Sequence, residues 1–153
     1  FFIVMGVTLA SNVPRRVVCL HGSGSSATAF FDRDLRHLRA ASPVWEYECL
    51  EAPLLGGKWW TYPAGERSYT AASFEGAGES IACVEAALME RPCAGLLGFS
   101  QGAMLAALIA QRCSLGESDV SLRFAVIAGA ATPKPYEEFL ARGKSAPRAW
   151  VLP

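Results

Sequence analysis

The sequence predicts an α/β protein, a mainly parallel sheet of about five strands joined by crossover helices, and three observations predict it. Short apolar runs recur along the chain: "RVVCL", "WEYECL", "AGLLGF", "LRFAVIA" and "RAWVL". Stretches with apolar residues at helical spacing separate them, the pattern of strands whose parallel partners must be reached by a helix. One run also ends in a glycine-flanked serine that leads directly into an apolar helix, in "GLLGFSQGA".

Taken in order, Arg16 to Leu20 reads as the first strand. Ser25 or Ser26 then caps a helix running to about Ala41, with Phe31, Leu35 and Leu38 on one face. Pro43 stops that helix. Trp45 to Leu50 is a second strand, followed by a long irregular segment, Leu54 to Phe74, whose Trp59, Trp60, Tyr62 and Tyr69 indicate a packed loop. Gly78 to Arg91 is a helix with Ile81, Val84 and Leu88 aligned, and Ala94 to Phe99 is the third strand. Gln101 to Arg112 is apolar nearly all round, so it is expected to be buried. Leu122 to Ala128 and Arg148 to Leu152 complete the strands, with a short helix near Tyr136 to Ala141 between them.

Composition narrows the function classes. At 153 residues the chain is one domain by length. Lys+Arg and Asp+Glu are both 14, so no net charge steers it to nucleic acid or to an anionic membrane surface. The five cysteines show no metal spacing and are odd in number, which predicts reduced thiols and a cytoplasmic protein. The opening "FFIVMGVTLA" is too short for the roughly 20 residues of a bilayer span. It reads as a signal remnant, an extra strand or part of a longer chain, and the first Met at position 5 suggests a non-native start.

The chemistry is concentrated at two turns. Gly98-Phe99-Ser100-Gln101-Gly102 fits G-x-S-x-G between a strand and a helix, the context in which the serine is a nucleophile held above the sheet. Side chains at either glycine would collide with neighbouring backbone. The helix start behind Ser100 supplies unpaired N–H groups, and the N–H of Gln101 is placed to meet an oxyanion. The plainer alternative is a serine that merely caps the helix.

The second turn is "CLHGSGSSA", Cys19 to Ala27. There Gly22 permits close approach and the N–H of Ser23 can serve as a second oxyanion donor; losing one such donor costs roughly 3 kcal/mol of transition-state stabilisation. His21 is expected to brace the loop rather than act as base, because the base comes last in this motif's chain order. The "GSGS" run lacks the spacing of a phosphate-binding loop.

With both turns placed, the chain resembles the FSH-type serine hydrolases of the α/β-hydrolase superfamily, the group of the OVCA-like hydrolases. "RVVCLHG", "LEAPLL", "KWW", "GLLGFSQGA", "RFAVIAGA" and "APRAWVLP" carry the likeness. "GFSQG" alone is shared with the carboxylesterase and acyl-protein thioesterase group, the second hydrolase alternative.

The resemblance implies a three-layer α/β-hydrolase sandwich over residues 14–153, incomplete at its C-terminus, with residues 1–13 unassigned. It implies a hydrolase of carboxylic esters or thioesters, with a small acyl substrate, no cofactor and no metal. Ser100 would be the nucleophile, and His21, Gly22, Trp59, Trp60 and Phe99 would form the substrate pocket, although the tryptophans read equally well as core.

A triad in the order Ser, Asp, His is also implied, with the acid just after the last strand and the histidine further on. Neither position exists in the sequence, where Asp119 is the only aspartate after Ser100 and no histidine follows it. Three explanations stand: a fragment or truncated product of a full hydrolase with weak or absent activity, a non-catalytic acyl-binding or protein-interaction module, or a stand-in base at His21 or His37. His37 reads as a solvated helix residue, which makes the third the poorest. A last strand without a neighbour further predicts self-association through that edge, as aggregate or homodimer.

Overall fold

A computed structural model describes residues 13–142 and 149–152, with the backbone alone for the last four. The opening apolar segment and Arg148, named above, lie outside the described residues. The chain runs β1 (Arg16–Leu20), α1 (Ala27–Ala29), a π turn (Phe30–Asp34), α2 (Arg36–Ala41), β2 (Glu46–Leu50), α3 (Ala77–Glu90), β3 (Gly95–Phe99) and α4 (Gln101–Ser114). It continues through β4 (Phe124–Ala128), a 3-10 turn (Lys134–Tyr136), α5 (Glu137–Ala141) and β5 (Ala149–Leu152).

The five strands form one parallel sheet in the order β2-β1-β3-β4-β5. All five residues of β1 are buried, as expected of a strand covered by helices on both faces. One face carries Val17, Cys19 and Leu97 under Phe30 and Leu35. The other carries Val18, Leu20 and Leu96 under Val84, Leu88, Leu105 and Ile109 of α3 and α4. Fully burying a side chain such as Leu105 or Ile109 contributes about 1.5–3 kcal/mol, so α4 is a principal source of stability.

The first helix departs from expectation. A hydrogen bond from Leu35 N–H to Phe30 C=O, 2.9 Å, spans five residues and makes the π turn. The extra residue rotates the apolar stripe, so Phe30 and Leu35 are buried while Leu38 is exposed. Ser26, not Ser25, provides the cap, its Oγ accepting from Ala29 N–H at 3.1 Å.

The segment between β2 and α3 holds no helix or strand, only isolated bridges at Leu54–Lys58 and Thr61–Glu75. It is packed nonetheless. Trp59 and Trp60 are fully buried, and Trp60 stacks on Phe74 with ring centroids 4.8 Å apart.

Successive strands are laid down on opposite sides of β1, since β2 pairs on one edge and β3 on the other. The connections leave the sheet in opposite directions there, opening a crevice beyond the C-terminal ends of β1 and β3. Both turns singled out in the sequence sit in it.

Candidate active site

Ser100 is the single residue between the end of β3 and the start of α4. Its N–H donates to Ala128 C=O at 2.9 Å, continuing the β3–β4 ladder, while its own C=O accepts from Ala103 N–H at 3.0 Å and Met104 N–H at 3.1 Å, opening the helix. Serving both elements forces φ 53° and ψ −117°. Among the described residues it is the only non-glycine with positive φ. Such backbone costs of order 1–3 kcal/mol and persists only where its surroundings enforce it.

Those surroundings are steric. A Cβ on Gly98 would lie 2.3 Å from Gly102 O, and one on Gly102 would lie 2.3 Å from Leu20 O and 2.5 Å from His21 O. The glycines let α4 start directly against β3 and β1. Ser100 occupies the N-cap position, yet its side chain makes no capping hydrogen bond. That removes the plainer alternative and leaves the hydroxyl unused by the helix.

The turn after β1 is held by hydrogen bonds. His21 is fully buried, with Nδ1 2.8 Å from Gly22 O and Nε2 3.2 Å from Ala52 N. A carbonyl can only accept and an amide N–H can only donate, so Nδ1 carries the proton and Nε2 offers its lone pair. The His21 carbonyl accepts from Trp59 Nε1–H at 2.8 Å. Ser25 N–H donates to Gly22 C=O at 3.1 Å and Gly24 N–H to Gly57 C=O at 2.8 Å, which closes the loop. Among the described residues no hydrogen bond uses the N–H of Ser23, and Gln101 N–H is at the first helical position, where no intrahelical acceptor exists.

A cleft of about 500 Å³ opens between the turns, lined by Gly22, Ser23, Ser26, Arg33, Phe99 and Ser100 among others. Phe99 is about half exposed and stacks on Phe30 at 6.5 Å. Arg33 and Asp34 form a bidentate pair at the rim, at 2.7 and 3.0 Å, and the guanidinium holds the Asp34 carboxyl below the usual range.

Of the residues expected at the pocket, Gly22, Ser23, Phe99 and Ser100 are brought together. His21, Trp59 and Trp60 are not at the surface of the cleft. They pack behind it, because the loop carrying the tryptophans folds into the core instead of over the crevice. His37 is exposed on α2.

Sequence reasoning missed the side chain of Gln101. It is buried, its Oε1 accepting from Trp59 N–H at 2.9 Å and its Nε2 donating to Trp60 C=O at 3.0 Å, which fastens the tryptophan loop to the start of α4. Ser80 Oγ donates to Trp59 C=O in the same cluster. Glu51 was also missed: its Oε2 accepts from the N–H of Ala27, the first residue of α1, at 2.9 Å. A glutamine beside a nucleophile motif carries no local signal of such a clamp, whereas "EAP" marked the neighbourhood of Glu51.

The family model described as serine hydrolase (FSH1) matches residues 56–149, which include the Ser100 turn. The chain belongs to that family. The resemblance seen in "GLLGFSQGA" and "RFAVIAGA" therefore holds. Esterase OVCA2 of Danio rerio is 31% identical over 76% of this chain and 65% of its own length. The chain thus spans just under two thirds of that relative.

Among solved structures, esterase PE8 superposes with a TM-score of 0.68 at 22% identity, over 92% of this chain and 69% of its own. Zea mays acyl-protein thioesterase 2 gives 0.65 at 21%, over 91% and 70%. At these identities the likeness is one of fold, and the fold is that of the α/β hydrolases. No helix among the described residues is long and apolar enough to cross a membrane.

Proposed function

We propose that this chain carries the nucleophile and oxyanion-binding half of a serine hydrolase acting on carboxylic esters or thioesters. The observation that carries the proposal is Ser100, strained at φ 53° with a hydroxyl that caps nothing, at the mouth of the crevice. Ser100 Oγ attacks the acyl carbonyl carbon. The N–H groups of Ser23 and Gln101 hold the oxyanion that forms, and the alcohol or thiol leaves as the acyl-enzyme is made. Phe99 and Gly22 contact the acyl group. The name of the OVCA2 relative supports esters as the substrate class.

The sequence offers two histidines for the base, His21 and His37. Both ring nitrogens of His21 are engaged in the fully buried brace, and His37 is exposed on α2 with Nε2 3.1 Å from Arg36 Nη2. Neither serves Ser100. Within these 153 residues the serine is an unactivated alcohol. The oxyanion donors and substrate binding alone give a residual acceleration of roughly 10³–10⁴ over water.

Purified chain assayed on short-acyl aryl esters and thioesters should show trace turnover that Ser100→Ala removes. Turnover unchanged by that substitution would refute the assignment. The commitment of both histidines favours one second reading, a non-catalytic acyl-binding module. Saturable binding of an acyl ligand, displaced by Phe99 substitution and with no Ser100-dependent turnover at all, would establish it.

A further inference from the structure

Cys19 and Cys49 are register partners on the adjacent parallel strands β1 and β2. Register partners lie on the same sheet face, and both belong to the cluster beneath Phe30. Neighbouring strands run about 4.7–4.9 Å apart, inside the window of about 4.4–6.8 Å between Cα atoms that a disulfide requires. Both thiols are free.

Their exposures differ in a useful way. Cys19 is wholly buried, whereas Cys49 is partly exposed and lines a small cavity of about 260 Å³ with Thr28, Phe31, Asp32 and Tyr47. A small solute therefore reaches Cys49 and not its partner. The other three cysteines stand apart: Cys83 on the exposed side of α3, Cys93 against Arg16 and Gly95 carbonyls, and Cys113 on α4.

We propose that Cys49 and Cys19 form a peroxide-sensitive thiol pair, Cys49 the attacking thiol and Cys19 the resolving one. The Cys49 thiolate attacks one oxygen of a small hydroperoxide. A sulfur–oxygen bond forms, the O–O bond breaks, and the departing oxygen leaves as water or alcohol after taking a proton. Cys49 is oxidised to the sulfenic acid and the peroxide is reduced. Cys19 sulfur then attacks Cys49 sulfur, the S–O bond breaks, and hydroxide leaves with the Cys19 proton as water.

The electrostatics run the same way. The neighbouring Cys19 side chain holds the Cys49 thiol below its ordinary value, with help from Arg39 and against burial, Asp32 and Glu48. The proximity of Cys49, with burial, pushes Cys19 up. The accessible sulfur is thus the more nucleophilic of the two.

The reduced full chain is titrated with limiting hydrogen peroxide and read by intact mass and non-reducing peptide mapping. The expected result is loss of two hydrogen masses and a Cys19–Cys49 cross-linked peptide, formed before Cys83, Cys93 or Cys113 reacts. Dimedone present during oxidation should be captured at Cys49 and suppress the cross-link, and Cys19→Ser should accumulate the Cys49 adduct. Wild-type measurements suffice should that variant misfold. Oxygen addition at Cys83 ahead of any cross-link, or dimedone capture away from Cys49, would overturn the proposal.

Discussion

The turn after β3 passes from strand to helix through one residue, Ser100, while the turn after β1 takes six, His21 to Ser26. The first is shaped by exclusion: the missing side chains of Gly98 and Gly102 let backbone meet backbone. The second is shaped by attraction, through a buried imidazole, an indole N–H and two main-chain hydrogen bonds. A steric turn tolerates nothing larger, whereas a hydrogen-bonded turn fails when a partner is withdrawn. That contrast predicts different responses to substitution.

The largest effect belongs to the steric turn. Gly102→Val places its Cβ against Leu20 and His21 carbonyls, backbone that cannot rotate aside. Overpacking of this kind costs about 1–3 kcal/mol and sometimes more, so urea unfolding should show the variant at or beyond the upper end of that range. A midpoint equal to wild type would mean the two turns are not in contact.

The hydrogen-bonded turn should fail next. His21→Ala leaves Ala52 N–H buried without a partner and leaves Gly22 C=O only the bond from Ser25 N–H, at about 1–3 kcal/mol for the unsatisfied group. Asparagine at that position should recover part of the loss in the same titration, because an amide can both donate and accept. Equal loss with alanine and asparagine would point to volume, not hydrogen bonding.

Ser100 sharpens the comparison from the opposite side. Ser100→Gly relieves strain of order 1–3 kcal/mol against a backbone-entropy cost of about 0.5–1 kcal/mol. A small gain in stability is expected, accompanied by loss of any serine-dependent chemistry. Destabilisation would show that the hydroxyl holds the turn together.

The smallest effect lies at the opposite end of the sheet. Glu48 sits between Arg16, at 2.8 Å, and Arg91, and the Arg16 hydrogen bond holds its carboxyl below the ordinary value of about 4.3. A carboxylate lowered in the folded state stabilises above its unfolded pKa, and that contribution is lost as pH falls through the folded value. Wild type should therefore lose stability more steeply than Glu48→Gln below about pH 4.3, while the neutral-pH ranking favours wild type. Parallel acid limbs would exclude the pair as a contributor.

The sequence made the sheet legible because its strands are short apolar runs and its helices keep their spacing. It made the steric turn legible too, since Gly98 and Gly102 announce themselves by having no side chain. The rest depended on contacts between distant positions. A five-residue hydrogen bond rotated Phe30 inward and Leu38 outward without any mark in the local pattern. The tryptophans at 59 and 60 looked as suited to a pocket as to a core, and only the Gln101 clamp, some forty positions away, decides for the core. The family match covers the Ser100 turn and the strands that flank it, and not the turn after β1.

Fluorophosphonate labelling measures the central claim about Ser100 most directly, because the reagent reports both where the nucleophile is and how strongly it is activated. With the 153-residue chain, slow modification confined to Ser100 and absent from Ser100→Ala is expected. Rapid, stoichiometric labelling of Ser100 would contradict the account by revealing an activating base in this chain, and labelling at any other residue would contradict the placement of the nucleophile itself.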